Sequence, residues 1–238
     1  MASSAEVAVA NQARCVALTQ EHRGHGVSTA AYYLARALVD QGLHVLLGDF
    51  SQRPSTIATL ANTDPVKNLV PWTPPLVLPS ELSRLLAGAR KRTAGLADVL
   101  LLDADIHLLE GAKGMPPEVD YVVVLAENTP EGHSGAERLA HRLSGERTGR
   151  SAVGVVFSRV DAPPAGELPR QLESGVPILG WLPADYLLAA GEAYSLKGRP
   201  PSRPHEAYLN ALGRIAQALI RVVPLQQRQA GTPVSLGG

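Results

Sequence analysis

Six apolar runs of strand length punctuate this chain, at residues 14–18, 43–49, 99–103, 120–126, 152–158 and 177–182. Each is a near-continuous Val/Leu/Ala run rather than an alternating one, as expected of a strand covered on both faces. Helical-period segments separate them. Covering both faces of such strands requires helices on both sides of a sheet. The expected fold is therefore α/β: a doubly wound, mostly parallel sheet with helices on both faces. A single domain is expected over 14–223, with a flexible N-terminal segment 1–13 and a polar, disordered tail 224–238.

The helices are legible from spacing. Residues 28–41 place Ala31, Leu34, Ala35, Leu38 and Val39 on one side, and Gly42 follows as a stop. Residues 132–143 and 206–222 are the other clear helices, the last with Leu209, Leu212, Ile215, Ala216, Leu219 and Ile220 on its core face. The proline-rich run 64–80 reads as an excursion on one edge of the sheet, leading into a helix from Glu81.

Composition narrows the function classes. The 22 basic and 22 acidic residues balance, so bulk charge drives the chain to neither nucleic acid nor anionic lipid. The single cysteine, Cys15, lies in an apolar run and reads as a buried structural thiol. There is no Cys/His metal spacing and no disulfide framework. No apolar run reaches the length of a membrane span and residues 1–14 lack a signal-peptide pattern, so the expected location is cytoplasmic.

The stretch HRGHGVST, residues 22–29, has the outline of a phosphate-binding loop between strand and helix. Gly24 and Gly26 let backbone amides converge, and Ser28 and Thr29 open the helix. Val27 stands where such a loop carries its phosphate lysine. The bland alternative is a tight turn closed by the two glycines, with Ser28 as a helix cap.

On these residues the chain resembles the ParA/MinD family of ATPases, whose deviant Walker A motif reads KGGVGKST. His22 then stands at the family's signature lysine, Arg23 at its first glycine and Val27 at the phosphate lysine. The resemblance continues in order along the chain. GLHVLLGDFSQRPS matches the next strand, with Asp49 kept and Ser51 where a second acid is usual. ADVLLLDAD resembles the Walker B strand. SAVGVVFSRVD resembles the strand facing adenine, with Ser158 in an asparagine's place, and Pro183 and Asp185 match a turn before a helix.

The resemblance implies a cofactor, ATP or ADP with Mg2+, unless the site has lost it altogether. Arg23, Gly24, His25, Gly26, Val27, Ser28, Thr29 and Ser158 would contact the nucleotide. Ser28 and Asp103 would serve the metal ion, and Asp49 and Asp103 are the acids available for catalysis. Both acids end strands at the carboxyl edge, so they are either magnesium-shell residues or caps for nearby amides. Loss of both lysines removes positive charge from beside a triphosphate. The expected function is thus a pseudo-ATPase acting in binding, positioning or assembly through a protein partner or cargo, with a homodimer expected. The alternatives are an active ATPase that partitions DNA or a protein cargo, with Arg23 substituting for a lysine, and a scaffold subunit of a larger complex.

Four further features concern the surface. The cluster ARKRT, 89–93, with Arg84, is a solvated face or a nucleic-acid contact. Arg138, Arg142, Arg147 and Arg150 interleave with Glu137 and Glu146 as a salt-bridged helix surface, and His107 is expected on a loop near the carboxyl edge. The tail, with Gln226, Gln227, Gln229, Gly231 and Pro233, lacks the spacing of a membrane-binding helix.

Overall fold

A computed structural model describes residues 13–21, 26–51, 55–110, 115–145, 152–160, 170–185 and 204–223. The segments 1–12 and 224–238, the loop residues His22, Arg23, Gly24 and His25, and Glu146, Arg147 and Arg150 lie outside the described residues.

The strands are β1 (Arg14–Thr19), β2 (Val45–Phe50), β3 (Leu69–Trp72), β4 (Val99–Ala104), β5 (Tyr121–Glu127), β6 (Ala152–Val160) and β7 (Ile178–Pro183). They form one sheet in the order β3-β2-β4-β1-β5-β6-β7, and every pairing between neighbours is parallel. The helices are α1 (Val27–Asp40), α2 (Thr56–Thr63), α3 (Pro79–Thr93), α4 (Ile106–Leu109), α5 (Pro130–Gly145) and α6 (Glu206–Val222). No described helix is long and apolar enough to cross a membrane.

Two buried clusters explain why the strands read as continuous apolar runs. On one face Val16, Leu47, Leu101 and Val123 pack against α1, α2 and α6. On the other, Ala17, Leu100, Leu102 and Val122 pack against α3, α4 and α5. Alternate strand residues thus serve opposite cores. Helix α1 lies between sheet and neighbouring helices and is buried on most sides, Thr29 through Ala35 included. It stops as its sequence demands: Gly42 follows at φ 86°, the left-handed conformation glycine adopts freely. Two contacts fix α1 to the loop before β3, because Tyr32 donates its hydroxyl to the Asp64 carbonyl and Arg36 pairs with the Asp64 carboxylate.

Several expectations need correction. The proline-rich run 64–80 is not wholly an excursion: Leu69–Trp72 pairs with β2 as the edge strand. Pro71 is compatible with that position alone, since an edge strand has one side that donates to no neighbour. Arg90 does not belong to a surface cluster. It turns inward, donating from Nη1 to the Glu118 carbonyl at 2.7 Å, with Nη2 3.4 Å from the Asp120 carboxylate. Arg138 and Arg142 pair off their own helix, with Glu21 and Glu110. Leu209 is 37% exposed, and Tyr208 and Ala211 take its place in the core face of α6. His107 sits on the short helix α4 rather than on a loop.

Candidate functional site

The strand order reverses around β1, where the chain leaves β4 and crosses to β5. Open parallel sheets place ligands at the carboxyl ends of strands beside such a reversal. Here that edge holds a cavity of about 100 Å3, lined by residues including Glu21, Val27, Ser28, Ser51, Asp103 and His107.

Gly26 enters α1 at φ 79° and ψ 27°, a left-handed residue that turns the backbone from loop into helix. Its carbonyl accepts the first helical bond from Ala30 N at 2.8 Å. Val27 follows, 4% exposed, with its apolar side chain against the cavity. Ser28 also lines the cavity, whereas Thr29 turns into the core. Helical geometry alone explains that contrast, since adjacent residues point about 100° apart.

Asp103 is the penultimate residue of β4 and is 4% exposed. Burial pushes its carboxyl up to about 7; a hydrogen bond from the Ser28 side chain pulls it down, and the Asp49 and Asp105 carboxylates push it further up. Its Oδ2 is buried with no hydrogen-bond partner among the described residues. A buried acid oxygen without a partner costs free energy unless something completes it. A hydrated magnesium ion fits this donor set: the Ser28 hydroxyl and the Asp103 carboxylate are hard oxygen donors, the type that ion takes. Magnesium, when bound with a nucleotide, neutralises phosphate charge. The described residues hold no group of three or more His, Cys, Asp or Glu suited to a metal on their own, so such an ion would need oxygen atoms from phosphate or water.

Asp49 stands directly beside Asp103 in the β2–β4 register and is 5% exposed. Its Oδ1 accepts from Ser51 N at 3.1 Å and from Ser51 Oγ at 2.6 Å, while Oδ2 accepts from Ser55 Oγ. Ser55 in turn caps α2, its hydroxyl accepting from Ala58 N at 2.8 Å. Asp49 therefore ties the start of α2 to the end of β2. Its contacts include a cap on the Ser51 amide.

Ser158 lies farther along the same edge, at the end of β6. Its hydroxyl donates to the Ala126 carbonyl at 3.2 Å, and its own carbonyl accepts from Asn128 N at 3.1 Å. Beside it Arg159 takes a left-handed φ of 57° and pairs with Glu127 at 2.5 Å. Ser28 and Asp103 are thus brought together, Asp49 is adjacent, and Ser158 is separate. Sequence reasoning missed Glu21 and Asp105. Glu21 lies two residues past β1, and Asp105 follows β4 and caps α4 by accepting from His107 N at 3.0 Å. Position just past a strand end was the available signal for both.

No protein-family model matches the sequence, and no curated protein matches it. Solved structures do. The septum site-determining protein MinD complexed with Mg-ADP from Pyrococcus horikoshii aligns with a TM-score of 0.65 at 16% identity, covering 88% of this chain and 97% of that one. The MinC:MinD cell division protein complex from Aquifex aeolicus gives 0.63 at 15% identity, covering 95% and 100%. A putative plasmid partition protein from Borrelia burgdorferi bound to AMPPNP gives 0.63 at 13% identity, covering 89% and 100%. The chain has the P-loop NTPase fold in its MinD/ParA form. At these identities the likeness shows the fold, and function has to be argued from the site.

Proposed function

We propose that this chain is a degenerate MinD/ParA-like protein, a pseudo-ATPase that binds, positions or assembles another component through protein contacts. The observation that carries the reading is the pairing at the head of α1. Ser28 and Asp103 keep the oxygen donors for magnesium, while the lysine position beside them holds a buried apolar Val27. A site with the metal half and without the ammonium suits holding ATP or ADP with Mg2+ better than hydrolysing it. Ser51, where the resemblance places a second acid, carries a neutral hydroxyl that donates to Asp49, and an alcohol is a far weaker proton acceptor than a carboxylate.

A homodimer and a protein partner or cargo follow from the same reading. A solved neighbour of the same fold is a MinC:MinD complex, which supports this reading. The nucleic-acid reading loses support, because Arg90 is withdrawn into the fold and only Arg84, Lys91 and Arg92 of the cluster remain outward.

The test separates holding from turnover. Thermal unfolding is followed against ATP and ADP, with and without magnesium, for the native chain and for Ser28→Ala. Magnesium-dependent stabilisation that follows RT ln(1 + [L]/Kd) and is lost in Ser28→Ala supports a held nucleotide. Magnesium-dependent phosphate release would refute the pseudo-ATPase reading and favour an ATPase that partitions a cargo.

A further inference from the structure

The cavity at the head of α1 has a second wall, built after β4. Ala104, Asp105, Ile106 and His107 line it there, as Val27 and Ser28 do from α1. Of the described residues on its lining, Glu21, Asp103 and Asp105 are acids and His107 alone is basic. Its volume is about 100 Å3. That is room for roughly three waters at about 30 Å3 of liquid each, and so for a phosphate group.

We infer that His107 takes over part of the missing lysine's role: its imidazole donates a ring N–H to a phosphate oxygen of ATP or ADP held in this cavity. The inference rests on the reading of the site as one that holds magnesium nucleotide. The first ground is that the ring is free to do so. His44, His133 and His205 each engage a ring nitrogen with Asp98, Asn128 and Asp185 in turn. No described residue pairs with the His107 ring, whose side chain is exposed. A neutral imidazole has one N–H to donate, and a protonated one has two.

The second ground is charge. A phosphate entering among carboxylates is repelled unless cations or donors stand with it. Glu21 already has Arg138 at 3.5 Å, Asp105 directs Oδ1 to His107 N at 3.0 Å, and Asp103 with Ser28 would hold the magnesium ion. The side chain of Val27 offers no donor. Among the described residues of the lining, His107 is then the one that can meet a phosphate with positive charge.

The third ground is placement. Ile106, Leu108 and Leu109 are 6%, 3% and 0% exposed, so α4 is anchored in the core by the residues on either side of His107. The Asp105 cap fixes the backbone of His107 itself. Little backbone freedom is therefore lost when the ring meets a ligand. One imidazole stands in for one of two absent lysines, which suits holding a nucleotide better than turning it over.

The test reads binding. Titration calorimetry with ATP and with ADP, magnesium in excess, compares the native chain with His107→Ala and His107→Lys. Nitrogen–proton NMR follows the histidine rings of the native chain, those of His107 being identified by their absence in His107→Ala. His107→Ala should bind nucleotide about tenfold more weakly, the factor a charge-assisted contact supplies. Its urea unfolding without nucleotide should be unchanged, since the side chain is exposed. His107→Lys, a donor of fixed charge, should restore the affinity. The His107 ring signals should shift with magnesium ATP and stay in place with magnesium alone. Unchanged affinity in His107→Ala, affinity in His107→Lys as weak as in His107→Ala, unfolding stability lost along with affinity, or a ring that ignores magnesium ATP would overturn the assignment. In each of these the native chain still binds nucleotide, so the reading beneath it survives. A native chain that binds neither nucleotide would overturn both.

Discussion

Replacing Asp103 with Asn should make the protein's stability less dependent on pH. Burial carries the carboxyl from 3.8 to about 7 in the fold. The folded state therefore holds the proton more tightly than the unfolded chain. That contribution is fully present below about pH 4 and is lost as pH rises through about 7. Between about pH 5 and pH 8 the native protein loses roughly two pK units of linkage, on the order of 2–3 kcal/mol at about 1.4 kcal/mol per unit. Asn cannot ionise, so Asp103→Asn escapes this loss, and titrations shared by both proteins cancel in the difference. The assay is urea unfolding of both proteins at the two pH values, without nucleotide and with a chelator present. The variant should gain on the order of 2–3 kcal/mol on the native protein between the lower and the higher pH. An equal difference at both would mean that Asp103 is ionised throughout, and the account of its burial would be wrong.

Other consequences are quicker to check. A Cβ at Gly132 would lie 2.1 Å from the Glu127 carbonyl, so Gly132→Ala should cost about 2–3 kcal/mol in denaturant unfolding. Arg90→Ala takes a donor from the Glu118 carbonyl and one of two arginine partners from the Asp120 carboxylate, which keeps Arg14 at 3.5 Å and Cys15 N at 2.8 Å; it should cost about 2 kcal/mol, against under about 0.5 for Lys91→Ala or Arg92→Ala. Cys15 is fully buried, and burial pushes its thiol well above the ordinary range. It should resist a thiol reagent in the native protein and react at once in urea; native-state labelling would contradict its placement.

How much of this was legible in the sequence depends on how locally each feature is encoded. The interior strands were, because burial on both faces writes itself as a continuous Val/Leu run. β3 was not: it is a short edge strand of mixed character, with Pro71 inside it and Val70 exposed, so neither periodicity nor propensity marks it. The inward turn of Arg90 was hidden by its neighbours Lys91 and Arg92. Yet it stands one turn after the buried Leu86 and beside the buried Ala89, and helical spacing could have placed it on the inner side. At the candidate site, Ser28 and Asp103 were legible because a helix start and a strand end are local signals. The bonds from Ser51 and Ser55 to Asp49 were not, since they depend on how the chain turns back after β2.

The central claim is that the fold keeps a place for magnesium nucleotide and lacks the charge to hydrolyse it. Phosphate release from ATP in the presence of magnesium, compared between the native chain and Asp103→Asn, tests this most directly. The account predicts release indistinguishable from background in both. Magnesium-dependent turnover in the native chain that disappears in Asp103→Asn would contradict it.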